Sequence, residues 1–215
     1  VLPHGARRLD PSLPIKSSEA LIEVESLNVD AASFRQLKEA AGGDAGKISE
    51  AVLRIVKERG KLENPVTGSG GMLIGSVKEV GAEHPAYGAL NPGDRIATLV
   101  SLTLTPLAIR EVKAVHLDKE RVDIAGHAIL FPSGLYAKLP ADMPDKLALA
   151  ALDVCGAPAL VDRHVRPGQV VLVVGAGKSG ALCLAQARRK LKGTGALLAL
   201  DISEWALAAI GWLYD

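Results

Sequence analysis

The stretch Val170-Val171-Leu172-Val173-Val174-Gly175-Ala176-Gly177-Lys178-Ser179-Gly180 limits the possible folds more than any other part of the chain. Five apolar residues in a row read as a strand covered on both faces, as a parallel sheet with helices on each side requires. The letters Gly177-Lys178-Ser179 also suit a phosphate loop for ATP, but that loop needs a further glycine with four residues between. The position is Leu172, inside the strand, so the spacing excludes it. Gly175, Gly177 and Gly180 instead fit G-x-G-x-x-G between a strand and a helix. In that turn the first glycine permits the tight bend, the second lets a pyrophosphate approach the backbone, and the third lets helix and strand pack closely. The helix N-terminus then presents free N–H groups to the phosphates.

A second apolar run, Ala196 to Leu200, ends at Asp201, 21 residues beyond Gly180. An acid there accepts hydrogen bonds from the adenosine ribose and repels a 2′-phosphate. No Arg or Lys follows in Ile202-Ser203-Glu204, which favours NAD over NADP. The candidate cofactor-binding residues are therefore Gly175, Ala176, Gly177, Lys178, Ser179, Gly180 and Asp201. A glycine-rich connection with no ligand is the competing reading, and Lys178 can face either phosphate or solvent.

Upstream the texture is β. Ile22 and Val24 alternate with Glu23 and Glu25, a strand with one buried face. Met72 to Val80, Asp94 to Val100 and Ser101 to Ile109 read as further strands, followed by shorter ones at Val112 to His116, Arg121 to Ile124 and Ala128 to Phe131. Lys47 to Arg59 interrupts them as an amphipathic helix with Ile48, Val52, Ile55 and Val56 on one face and Gly60 as its stop. Lys146 to Val154 reads as a helix broken by Gly156-Ala157-Pro158. Ser179 to Leu191 and Ser203 to Ile210 are helices that alternate with the two apolar strands, with Ser203 as an N-cap. The expected class is α/β: a β-rich domain over 1–145, then the start of a doubly wound parallel sheet over 146–215, stopping after about two strands.

Composition narrows the partners. Of 215 residues, 48% are hydrophobic and 23% charged, and the net charge of +1 shows no basic stripe for nucleic acid. No apolar run approaches the roughly 20 residues a membrane span needs. Cys155 and Cys183 are too few for a disulfide framework. The expectation is a cytoplasmic protein without nucleic-acid or membrane partners. Because the chain starts at Val1 and ends just inside a helix, it is read as a fragment.

Leu90-Asn91-Pro92-Gly93-Asp94-Arg95-Ile96-Ala97, Val165-Arg166-Pro167-Gly168-Gln169-Val170-Val171-Leu172-Val173 and the glycine turn resemble, in that order, landmarks of the medium-chain dehydrogenase/reductase superfamily. Its members join a chaperonin-10-like substrate domain to a Rossmann domain. More narrowly, residues 26–37, Thr67-Gly68-Ser69-Gly70-Gly71-Met72-Leu73-Ile74-Gly75, 98–109 and 149–160 resemble the L-erythro-3,5-diaminohexanoate dehydrogenase family. That resemblance implies NAD-dependent oxidative deamination of a diamino acid in lysine fermentation, by a homodimer. Two other functions stay open: a zinc-independent quinone or enone reductase of the same superfamily, and a catalytically silent NAD-binding module.

In the alcohol dehydrogenase branch, zinc is held by an early Cys, a Gly-His-Glu and a Cys-Gly. The corresponding positions read Asn28 to Asp30, Gly70-Gly71-Met72 and Cys155-Gly156. One thiol without partners does not make a three-ligand site, so no metal is expected, and Cys155 becomes a small buried residue beside the nicotinamide. An amine yields hydride only when neutral, so a base or polarising group is needed. Asp30 is the first candidate, to bind the substrate ammonium or take its proton, with Asn28 and Ser33 orienting the ligand. Asp30 reads equally well as the N-cap of a helix over Ala31 to Lys38. Arg35 is read as solvent-facing before it is read as a carboxylate partner. Ser69-Gly70-Gly71 suits either close substrate approach or a tight turn. His127 is read as structural, His4, His84, His116 and His164 lack ligand spacing, and Trp205 and Trp212 are assigned to an apolar helix stripe.

Overall fold

Alternating burial along β1 (Ala20–Val29) organises the first part of the chain. Ile22, Val24, Leu27 and Val29 point inward and are at most 2% exposed. A bulge between Val24 and Ser26 shifts the register against both neighbouring strands, which puts Leu27 and Val29 on the core side in place of Ser26 and Asn28. The computed structural model describes residues 5–214, without the side chains of Lys146, Ala150, Trp212, Leu213 and Tyr214. His4 and the Trp212 side chain therefore lie outside the described parts. The chain divides into two compact units between Asp142 and Met143.

In the first unit, β1 sits inside a six-stranded sheet ordered β4 (Leu107–His116), β5 (Arg121–Leu130), β1, β2 (Gly71–Val80), β3 (Arg95–Thr98), β6 (Tyr136–Lys138). Every neighbouring pair is antiparallel. Two helices complete its core. α1 (Ala31–Ala40) buries Phe34 and Leu37; α2 (Ala45–Arg59) buries Ile48, Val52, Ile55 and Val56. Asp44 caps α2 by accepting from the Lys47 amide at 3.1 Å, and Gly60 ends it in the left-handed region.

Three strand expectations change, the first being that Val112 to His116, read as a strand of its own, continues from Leu107 within β4. The strand expected from Ser101 begins only at Leu107, because Leu102–Leu104 forms a 3₁₀ turn. The Ser101 hydroxyl accepts from the Thr103 amide at 3.3 Å and the Thr105 hydroxyl donates to the Ser101 carbonyl at 3.0 Å, local bonds that compete with a ladder. The two short strands expected around Gly126 are one, β5, since Gly126 pairs with both Val24 and Ile109.

The second unit contains α3 (Asp145–Leu152), α4 (Gly156–His164), β7 (Val170–Val174), α5 (Lys178–Leu191), β8 (Ala196–Leu200) and α6 (Glu204–Tyr214). The expected interruption is present at 153–155, between α3 and α4, and Pro158 lies just after it in the first turn of α4, where an intrahelical N–H is not needed. β7 and β8 pair in parallel from Val170↔Ala196 to Val174↔Leu200. Helices α5 and α6 cover one face, where Ala176, Leu184 and Ile210 form a small core with Val173 and Leu197. No described helix covers the other face. Val170, Leu172, Val174, Leu198 and Leu200 are 51–74% exposed, since both helices use the same side of the pair. Trp205, assigned to an apolar stripe, is also exposed. No described helix is long and apolar enough to cross a membrane.

Candidate active site

The candidate residues fall in both units, and each group is built by the local chemistry of its own unit. In the first unit the end of β1 carries them. Asn28 pairs with Met72 on β2 and with Arg121 on β5, and its side-chain amide has no partner among the described residues. Asp30 is the N-cap of α1: Oδ1 accepts from the Ala32 amide at 3.0 Å and the Ser33 amide at 3.4 Å. The capping role and a chemical role do not exclude each other, because Oδ2 is buried and has no hydrogen-bond partner. Burial raises the Asp30 pKa, but the hydroxyls of Ser33 and Ser69 and the amides of Ser33 and Ala32 outweigh it and hold the carboxyl below the usual range. The two hydroxyls act through proximity, without hydrogen-bond geometry to Oδ2.

Ser33 is fully buried, and its hydroxyl lies 2.6 Å from that of Thr67. Thr67 Oγ1 also accepts from the Ser69 amide at 3.3 Å. Asn64, 2% exposed, ties this turn to α1. Its Nδ2 donates to the Ser33 carbonyl at 3.3 Å and to Gln36 Oε1 at 2.8 Å, while its Oδ1 accepts from the amides of Val66 and Thr67. The structure thus brings Asp30, Ser33 and Ser69 together and adds Asn64 and Thr67, which sequence reasoning missed. The available signal was the Asn-x-x-Thr-Gly turn chemistry of Asn64-Pro65-Val66-Thr67-Gly68.

Gly70 and Gly71 are explained by chain crossing. A Cβ on Gly71, at φ +113°, would stand 1.9 Å from the Asn28 carbonyl oxygen, and one on Gly70 would stand 2.4 Å from that of Leu62. Backbone fills the space that was reserved for substrate, so the tight-turn reading holds. Arg35 is exposed on α1. Arg121, directly across from Asn28, is half-buried and pairs with Asp123, Nε to Oδ1 at 3.0 Å; Asp123 also accepts from His116 Nε2 at 2.6 Å. The Nε contact has ion-pair distance but not hydrogen-bond geometry. His127 is structural: its Nε2 lies 2.8 Å from the Pro11 carbonyl oxygen.

In the second unit the glycines show their separate tasks. Gly175 has φ +100°, a conformation L side chains avoid, and a Cβ on Gly180 would stand 1.8 Å from the Gly175 carbonyl oxygen. A Cβ on Gly177 would meet nothing within 4 Å. Gly177 caps α5 without a side chain, and the amides of Lys178, Ser179 and Gly180 find no acceptor among the described residues, as the first turn of a helix requires of an outside ligand. Asp201 accepts from the Ala176 amide at 2.5 Å through Oδ2 and from the Ser203 amide at 2.8 Å through Oδ1. These amides, that of Ala176 first, hold its carboxyl below the ordinary value. The Lys178 ammonium pairs with Asp153 at 3.1 Å instead of standing free. Cys155 is half-buried at the junction before α4, not enclosed as expected, because its backbone begins that helix at the surface of the unit. An open approach at Gly177, unpaired amides behind it and an acid at the tip of β8 fit a dinucleotide's diphosphate and ribose. Among the described residues no three His, Cys, Asp or Glu side chains gather as metal ligands.

Residues 1–140 match the family model described as the L-erythro-3,5-diaminohexanoate dehydrogenase N-terminal domain. The L-erythro-3,5-diaminohexanoate dehydrogenase of Acetoanaerobium sticklandii is 51% identical over 210 residues, covering 97% of this chain and 61% of the relative. That of Fusobacterium nucleatum subsp. nucleatum is 52% identical over 199 residues, covering 92% and 58%. The chain therefore spans about three fifths of the length of the curated relatives it matches. Among solved structures, an alcohol dehydrogenase superfamily protein from Novosphingobium aromaticivorans aligns with TM-score 0.54 at 21% identity, over 96% of this chain and 52% of that one. An alcohol dehydrogenase from Thermus sp. ATN1 aligns with TM-score 0.52 at 19% identity, over 97% and 57%. These likenesses show the medium-chain dehydrogenase fold.

Proposed function

The chain belongs to the L-erythro-3,5-diaminohexanoate dehydrogenase family, and from that premise we propose that it serves the NAD-dependent oxidative deamination of L-erythro-3,5-diaminohexanoate to 5-amino-3-oxohexanoate and ammonia. The structural observation that goes with the reading is the Asp30 carboxylate, which follows β1 and caps α1. A substrate with two ammonium groups needs an anionic acceptor, and a carboxylate is one. Its lowered pKa keeps Asp30 charged, which suits holding an ammonium better than removing a proton from it. Asn28 and Ser33 orient the bound amine.

NAD, when bound, supplies the hydride acceptor. Gly175, Ala176, Gly177, Lys178, Ser179 and Gly180 would hold its diphosphate, with Asp201 on the ribose and Cys155 near the nicotinamide. Preference for NAD over NADP rests on Asp201 and on the absence of Arg or Lys in 202–204. The domain assignment that goes with this is a chaperonin-10-like substrate domain over 1–145 and part of the Rossmann domain over 146–215. Where alcohol dehydrogenases hold zinc, Asn28 to Asp30 and Gly70-Gly71-Met72 stand instead, so we propose a zinc-independent reaction. A cytoplasmic homodimer acting on a small diamino acid in lysine fermentation completes the reading, with no nucleic-acid or membrane partner.

The test follows NADH absorbance with full-length protein, NAD and 3,5-diaminohexanoate. The wild type should form NADH, and Asp30→Asn should lower kcat/KM by about 100-fold or more. Enone or quinone reduction without diamine oxidation would replace this reading with that of a reductase. Coenzyme uptake without any turnover would leave a binding module.

A further inference from the structure

Two charges in the second unit stand at helix ends where their sign is unfavourable. Asp153 is the C-cap of α3, and no basic residue stands in the last turn of that helix. Lys178 opens α5, where Gly177 gives no side-chain cap and the first turn holds no acid. A helix carries partial negative charge at its C-terminus and partial positive charge at its N-terminus, so the acid and the base are each on the wrong end. Their mutual contact compensates: Lys178 Nζ donates to Asp153 Oδ2 at 3.1 Å. Lys178 is also the only charged side chain of the glycine turn at 175–180. We propose that Asp153 is a positioning residue acting through Lys178: it holds the ammonium away from an anionic ligand at the glycine turn, leaves the phosphates to the backbone amides, and so weakens binding and speeds release.

The inference deepens the coenzyme site proposed above and rests on it for the identity of the ligand. The Lys178 amide belongs to the head of α5, and its ammonium rides on a flexible four-carbon stem, so a phosphate received by the amide lies within reach of the ammonium as well. The Asp153 carboxylate occupies that ammonium and adds a charge of the ligand's own sign beside it. The side chains are 52% exposed for Lys178 and 22% for Asp153, so solvent screens the pair and its effect on affinity is a few-fold. The pair is not the sole tie between α5 and the helices before it. Farther along, Asp162 of α4 accepts from Gln186 Nε2 at 2.5 Å and pairs with Lys190 at 3.3 Å, which holds α5 in place when the Asp153 charge is removed. Coenzyme must leave after every cycle, and release limits many turnovers; a cation that is kept occupied serves that step.

Isothermal titration of the full-length protein with NAD, and separately with inorganic pyrophosphate, tests this. Asp153→Asn should bind NAD about threefold to fivefold more tightly than the wild type at low ionic strength, and the gain should shrink as salt rises. Asp153→Ser, which also removes the charge, carries the same expectation. Adding Lys178→Met to Asp153→Asn should return the affinity to within about twofold of the wild type, because the freed ammonium is the source of the gain. Asp162→Asn, which cuts the remote tie, should leave NAD affinity unchanged. A gain there equal to that of Asp153→Asn would overturn the proposal, since helix docking and not the Lys178 charge would then set affinity. Unchanged or weaker binding in both Asp153 variants would overturn it as well. If the wild type takes up no NAD while Asp153→Asn binds pyrophosphate more tightly than the wild type, the coenzyme reading fails and the role of Asp153 stands. If the wild type takes up NAD and neither Asp153 variant gains, the role of Asp153 fails and the coenzyme reading stands.

Discussion

Gly177 and Gly180 are three residues apart in one turn, but their side-chain vectors meet opposite surroundings. A methyl at Gly180 would overlap the Gly175 carbonyl oxygen at 1.8 Å, while one at Gly177 would enter open space at an ordinary negative φ. Gly180→Ala is therefore expected to destabilise the second unit by about 1–3 kcal/mol, the usual cost of overpacking, with loss of coenzyme binding as a consequence. Gly177→Ala should melt like the wild type but bind NAD at least about tenfold more weakly, because its methyl stands where the diphosphate approaches. Thermal melts with isothermal titration of NAD check both, and equal affinities for Gly177→Ala and wild type would separate this turn from the coenzyme. Asp201 adds a point of chemistry at the same scale. A carboxylate has about four acceptor positions, and two amides occupy two of them, so a ribose diol can be received without releasing the turn.

At the scale of elements, Asp30 is the lock on α1, and that lock depends on charge. Its pKa is lowered in the folded chain, so its contribution is present above the unfolded value of about 3.9 and is lost as pH falls through the folded value. Asp30→Ala should cost about 1 kcal/mol at neutral pH, and urea melts repeated toward pH 3 should show the gap to wild type closing. Elements were legible in the sequence wherever one periodicity dominated. The amphipathic face of Ile48, Val52, Ile55 and Val56 marked α2, and the alternation from Ile22 marked β1. The strand expected from Ser101 failed because Ser101 and Thr105 bond locally, a choice that apolar patterning does not record. The glycine turn was legible because each glycine's position is set by backbone geometry alone. The cluster around Asp30 was only half legible: Ser33 and Ser69 were in view, but Asn64 and Thr67 reach them through a long-range closure between α1 and the 64–69 turn. The apolar composition of β7 and β8 foretold two covered faces, and a five-residue run cannot say from which segment the second cover comes.

Across the whole molecule, the two units differ in how much apolar surface they enclose. The first unit encloses a continuous core that runs from Ala20 to Leu130 through both helices. The second relies on Ala176, Leu184, Ile210 and a few half-buried neighbours, with Val170 and Val174 still at least 70% exposed. Burial drives stability at about 25 cal/mol per Å², so among the described residues the first unit is the more strongly consolidated of the two. Hydrogen exchange should be slow along β1, β2 and β5 and fast along β7 and β8; uniform protection across all five strands would contradict that. Any molecule that grips only the ordered turn adds its occupancy to the folding equilibrium, by about 2.7 kcal/mol at a hundredfold excess over its dissociation constant. Coenzyme held by the glycine turn would thus register as a raised melting temperature of the second unit.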